Sequence, residues 1–294
     1  MFDINFVCGV SLGPDRTCAL GVGLPEDPDD EDEGPPLCIE WQSGSDPAIF
    51  ELPSSPIGIA VAPESTGVPT LLVAYESGDV STFSGDASTN EKVVGHRTIL
   101  RDVRVIGRAT YAVGMGRQVY RRSGPAKWTP ISEEARPTTR GKVTGFNGIA
   151  GWDEENLIAV GYDGEIWRRR HGEWSQIESP TDLLLNLVEV VSPELAFACG
   201  LNGTLLRMRG ETWQKIEHGR EETESLIAMA YFRDRLYLSD GETLLRLEAD
   251  DTLSTVDIGE RKVGHLHAAV GALWAFGPRM LTRTVDGEIW LDAD

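Results

Sequence analysis

Short apolar runs separated by turn residues recur along the whole chain, and almost no stretch keeps a helical period for ten residues. One theme repeats. An apolar run ends in a small residue, and a tight turn, a second strand, a polar turn and a third strand follow. It is clearest in NLIAVGYDGEIWRRRHGEWSQI (156–177), LAFACGLNGTLLRMRGETWQKI (195–216) and TYAVGMGRQVYRRSGPAKWTPI (110–131). Looser copies occupy 71–85, 235–256 and 273–293, and a first copy, TCALGVG followed by LCIEWQ, is split by an insertion. The residues closing the apolar run are Gly23, Tyr75, Gly114, Gly161, Gly200, Asp240 and Gly277, at intervals of 52, 39, 47, 39, 40 and 37. A further apolar segment precedes each run, from INFVCGV (4–10) to LHAAVGA (266–272).

Seven units of four short strands, at about 42 residues each, predict an all-β chain folded as one seven-bladed β-propeller with four antiparallel strands per blade. The units are 1–53, 54–95, 96–132, 133–179, 180–218, 219–259 and 260–294, with the insertion at 25–36. Residues 4–10 already open the first unit and 288–292 complete the last, so closure by side-chain packing is expected. Asp163-Gly164, Asn202-Gly203 and Asp240-Gly241 supply the positive φ of tight hairpins. Trp128, Trp174 and Trp213 share one position near the outer strand, where a large ring can cover the gap between neighbouring blades.

The units in 110–217 resemble the blades of photosystem II stability/assembly-factor propellers and the wider group with sialidase-type repeats. The residues that carry this are Ala159-Val160-Gly161, Asp163-Gly164, Ile166, Arg168 and Trp174. The resemblance implies the propeller fold and says little about activity, since this fold hosts binding modules and enzymes alike. The strict Asp-box of sialidases is met by no unit.

Charge changes the picture more than composition does. There are 27 Lys+Arg against 47 Asp+Glu, a net charge of −20, which argues against nucleic-acid or anionic-membrane binding. No apolar run approaches the length of a membrane helix. The opening MFDINFVCGV lacks a positively charged n-region, so a cytoplasmic location is expected. The four cysteines form no CxxC pair and read as buried thiols; Cys8–Cys18 is the one disulfide a hairpin would allow.

Catalytic signatures are absent from the sequence: there is no GxSxG, Walker A run or HExxH. Asp163, Asp240 and Asp286 are better explained as turn formers than as catalytic acids. His265 and His267 alternate on one strand without a third ligand, so no metal or cofactor is expected. Two features stand out. PEDPDDEDEGPP (25–36) places Glu26, Asp27, Asp29, Asp30, Glu31, Asp32 and Glu33 in one loop, and residues 1–60 carry 12 acids and 1 base. Residues 96–145 carry 11 bases and 3 acids, among them Arg97, Arg101, Arg136, Arg140 and Lys142. Arg97, Arg101, Arg104 and Arg108 fall at helical spacing, but the apolar residues between them favour an innermost strand. Strand counting puts the acidic loop and the inter-blade connections with Arg97, Arg136, Arg140 and Lys142 on one face, and Arg168-Arg169-Arg170 opposite. The expected function is a non-enzymatic, monomeric protein-binding propeller. Its narrower form is an intracellular immunity protein neutralising a basic partner such as a toxin nuclease. A glycan-active enzyme (sialidase-like or lyase) or an assembly scaffold are the alternatives.

Overall fold

The apolar runs that close the repeats are strands with both faces covered: every residue of Ala109–Gly114 and of Ala272–Gly277 is buried. The computed structural model describes residues 3–24, 34–65, 67–85, 87–93, 99–137, 143–220 and 224–293. Among these the strands form seven four-stranded antiparallel sheets, at 4–51, 56–92, 100–130, 146–177, 185–215, 228–255 and 265–292. Each sheet is built from four consecutive strands, and the one helical element described is the 3-10 turn Tyr162–Gly164. The fold is a seven-bladed β-propeller.

The recurring glycine has a steric cause. A Cβ on Gly114 would lie 2.0 Å from the Ile99 carbonyl oxygen, on Gly161 1.9 Å from that of Gly145, on Gly200 2.0 Å from that of Leu184, and on Gly277 1.9 Å from that of Lys262. In each case the backbone leading into the sheet's first strand crosses the last residue of the second. The residue after the glycine then donates its N–H to the same carbonyl: Met115 to Ile99 at 2.9 Å, Tyr162 to Gly145 at 3.3 Å, Leu201 to Leu184 at 3.0 Å. Close approach, not a positive φ, selects glycine here.

Two compact units hold the sheets: the second to fifth in one, the first, sixth and seventh in the other. In the four-sheet unit each cluster of core side chains lies between adjacent sheets, because successive residues of a strand point to opposite faces. Tyr111 and Val113 pack with Phe146, Ile149 and Trp167 of the fourth sheet. Ala112, between them in sequence, packs with Leu72 and Val80 of the second. Trp128, Trp174 and Trp213 belong to the clusters shared with the preceding sheet. Trp174 Nε1 donates to Ile131 O at 2.7 Å and Trp128 Nε1 to Glu91 Oε2 at 3.0 Å, so two of the rings also hydrogen-bond across the gap. In the three-sheet unit, Phe6, Ile39 and Trp41 of the first sheet pack with Trp274, Phe276 and Leu281 of the seventh.

The last strand is shorter than expected, the Asp240-Gly241 turn differs in detail, and the expected buried thiols and the strand at 100–106 are present. Cys8 stands opposite Leu20 in its ladder, so Cys18 faces Cys38 instead, Sγ to Sγ at 3.3 Å; all four thiols are free and buried. Asp240 does not take a positive φ; its carboxylate accepts the amides of Glu242 at 3.0 Å and Thr243 at 2.7 Å, leaving Gly241 to turn at φ 94. The final strand is only Leu291–Asp292, because Asp286 holds the amides of Glu288 and Ile289 in a turn just before it. The 100–106 segment is the strand Leu100–Ile106, not a helix.

Candidate functional site

Of the twelve residues singled out in the sequence, Glu26, Asp27, Asp29, Asp30, Glu31, Asp32, Glu33, Arg97, Arg140 and Lys142 lie outside the described residues. The stem of the acidic segment is described. Arg16–Gly23 and Pro36–Gln42 pair in register as far as Val22 with Pro36, and Gly34 N donates to Gly23 O at 3.1 Å. The carboxylates are thus carried between the second and third strands of the first sheet.

Arg101 and Arg136 are exposed, and each has an acid beside it. Arg101 Nη1 lies 3.4 Å from Glu76 Oε1, and Arg136 Nη2 4.0 Å from Glu133 Oε1. Such surface pairs contribute about 0–1 kcal/mol. Three further cations of the basic segment reach acids on neighbouring sheets. Arg122, 2% exposed, grips Glu91 through Nε at 2.8 Å and Nη2 at 2.7 Å and also meets Glu64. Arg117 Nε donates to Glu165 Oε2 at 2.6 Å, with its guanidinium 5.0 Å from the Trp167 ring centroid. Arg121 pairs with Glu154. Burial would push Glu91 up, but Arg122 and the Trp128 indole outweigh it and hold the carboxyl below its ordinary value. These described cations of the segment serve as ties between sheets.

A charged cluster around Arg104, whose acidic partners the sequence did not indicate, joins the first strands of three sheets. Arg104 of Leu100–Ile106 stands 3.6 Å from Asp102 Oδ2 and 3.4 Å from Glu189 Oε2, which belongs to Leu185–Ser192. Asp102 Oδ2 also accepts the Ile149 amide at 3.2 Å. Burial pushes both carboxyls up from their ordinary values. Trp152, at the end of Phe146–Asp153, is 52% exposed. Its signal in the sequence was a bulky ring directly before a charged Asp-Glu-Glu turn.

The remaining candidates are structural. His267 Nδ1 accepts the Ser11 amide at 3.0 Å, and the His265 ring lies 5.7 Å from that of Phe276. Arg168 is 8% exposed, and Arg170 Nη1 donates to Glu211 Oε1 at 2.6 Å. Among the described residues no group of three His, Cys, Asp or Glu side chains is placed to hold a metal.

No family model matches the sequence. The chain is similar to the immune protein Tsi7 of Pseudomonas aeruginosa, with 36% identity over 208 residues, 69% of this chain and 67% of that protein. In structure it is similar to the WD40 propeller domain of Doa1, at a TM-score of 0.71 and 8% identity over 96% of this chain and 93% of that one. It is also similar to YCF48 bound to D1 peptide, at a TM-score of 0.67 and 11% identity over 97% and 92%. At such identities the two structures bear on the fold alone.

Proposed function

Because the chain belongs to the family of the immune protein Tsi7, we propose that it is an immunity protein, a binder and not an enzyme, which holds a protein toxin inactive inside the cell that makes it. The long match to that relative is the observation that carries the reading. A propeller suits the task, since its sheet ends and connections offer a broad rigid platform and inhibition by occlusion needs no chemistry of its own. The likeness to YCF48 supports the fold and gives an assembly role no comparable support.

The partner we propose is basic. A net charge of −20 attracts a cationic protein from a distance and repels nucleic acid. A toxin that acts on nucleic acid carries cations where phosphates bind, and carboxylates such as Glu26 to Glu33 can occupy those positions. The protein would act as a cytoplasmic monomer, with one chain to one toxin. The test is to express the protein encoded beside this chain's gene, with and without this chain. Growth arrest relieved by co-expression, together with a 1:1 complex of the purified proteins, is the expected result. Arrest that persists with both proteins abundant and soluble refutes the reading.

A further inference from the structure

The first strands of the third, fourth and fifth sheets lie side by side and run in the same direction. The Ile149 amide donates to Asp102 Oδ2 at 3.2 Å, and a Cβ on Gly151 would fall 2.9 Å from Ile106 Cγ2. Asn147 Nδ2 donates to Leu185 O at 3.0 Å, and a Cβ on Gly148 would fall 3.2 Å from Leu187 Cα. These matches bring Val105, Trp152 and Val191 to one level, at the strand ends nearest the turns between first and second strands. Val105 is 38% exposed, Trp152 52%, and Val191 is half-buried. Of the eight tryptophans, Trp152 is the exposed one; Trp290 is half-buried and the other six are at most 9% exposed. A large ring held in water at the end of a rigid strand is the kind of side chain that anchors protein interfaces.

The surroundings specify what would sit on it. Trp152 runs directly into Asp153, Glu154 and Glu155. Glu154 accepts the Arg108 amide at 3.1 Å and pairs with Arg121, while Glu155 is exposed. One level deeper, Asp102 and Glu189 flank the single Arg104. Five carboxylates (Asp102, Asp153, Glu154, Glu155 and Glu189) stand against four guanidiniums (Arg104, Arg121, Arg169 and the exposed Arg108) around the apolar row. Glu155 beside Trp152 is exposed, which complements a cationic segment with an apolar tip.

We propose that the row Val105–Trp152–Val191 is the surface that holds the partner. Its occupant is a loop of the toxin whose aromatic or aliphatic side chain packs on Trp152, with Lys or Arg on either side facing Glu155 and the Asp102–Glu189 pair. This rests on the immunity reading, and it assigns the contact to the opposite end of these sheets from Arg101 and Arg136.

The probe is the purified protein encoded by the adjacent gene, titrated into the wild-type chain and into Trp152→Ala, Val105→Ser and Ile99→Ser. Ile99, 41% exposed at the opposite strand end, is the control. Trp152→Ala should weaken binding about 30-fold or more, as for a hot-spot residue, and Val105→Ser less, with Ile99→Ser unchanged. Urea unfolding should be the same for all four, because the substituted side chains are exposed. Hydroxyl-radical labelling of Trp152 should fall in the complex. If the wild type binds but Trp152→Ala stays within twofold and Trp152 labels equally in the complex, the surface is wrong and the immunity reading stands. If Ile99→Ser alone loses binding, the surface is likewise refuted. If the wild type does not bind, the immunity reading fails and this inference with it.

Discussion

Replacing Glu91 by Ala removes the carboxylate that ties the second sheet to the third. Arg122 and Glu91 are 2% and 4% exposed, and two hydrogen bonds of 2.8 and 2.7 Å join them. The variant leaves a buried guanidinium with Glu64 alone, and it strips the Trp128 indole of its acceptor at 3.0 Å. Breaking a buried pair by removing one partner costs about 3–5 kcal/mol. Glu64, 38% exposed, remains and pulls the figure to the low end, while the orphaned indole adds about 1 kcal/mol, so we expect roughly 3–4 kcal/mol. Glu91→Gln keeps an acceptor and should cost about 2 kcal/mol, and Glu91→Leu with Arg122→Met should come within about 1 kcal/mol of wild type. The Glu91 carboxyl titrates below its ordinary value when folded, so its contribution is complete above an unfolded value of about 4.3 and is lost as pH falls through the folded one. The gap between wild type and Glu91→Ala should therefore be constant near pH 7 and shrink below about pH 4. Reversible urea unfolding at both pH values, followed by tryptophan fluorescence, measures this. A difference under about 0.5 kcal/mol at pH 7, or one that does not change on acidification, would refute the buried tie.

Four further outcomes are expected. Gly161→Ala forces a Cβ to within 1.9 Å of the Gly145 carbonyl, so it should destabilise by at least the roughly 1–3 kcal/mol of an overpacked site, read by denaturant midpoint. Trp174→Phe loses the bond to Ile131 O and should cost about 1 kcal/mol more than Trp213→Phe, whose Nε1 has no hydrogen-bond partner among the described residues. All four cysteines should resist alkylation in the native protein and react after unfolding without reductant. The contact with Cys38 together with burial raises Cys18, and burial pushes Cys199 up to about 12. Replacing the seven acids of 26–33 by Ser and Gly should slow association with the proposed basic partner at low salt. The wild-type on-rate should fall as salt is added, in stopped-flow mixing, and equal on-rates would reduce the segment to a solubility feature.

The fold was legible because a propeller writes its geometry repeatedly. A glycine forced by a crossing carbonyl appears at 114, 161, 200 and 277, and a tryptophan filling an inter-sheet gap at 128, 174 and 213. Repetition turns a weak local signal into a period. The site was less legible, because a charge on a strand does not say which neighbouring sheet it will meet. The bases of 96–145 looked like a patch, yet Arg117, Arg121 and Arg122 find their acids at Glu165, Glu154 and Glu91, 31 to 48 positions away. The Cys18–Cys38 contact was hidden for a similar reason: the register of the first hairpin puts position 8 opposite 20. Trp152 was visible as a residue, but its exposure depends on how three first strands align.

Every sheet is assembled from consecutive strands, which sets a timetable for synthesis. The first sheet spans 4–51 and can complete its backbone ladder while the ribosome is still on the second. Its packing partners, Trp274, Phe276 and Leu281, are added some 220 residues later. At about 5–20 residues per second, that leaves Phe6, Ile39 and Trp41 uncovered for roughly 10–50 s in each nascent chain. The packing of the first sheet against the seventh is therefore the last part of this core that a newly made chain can complete.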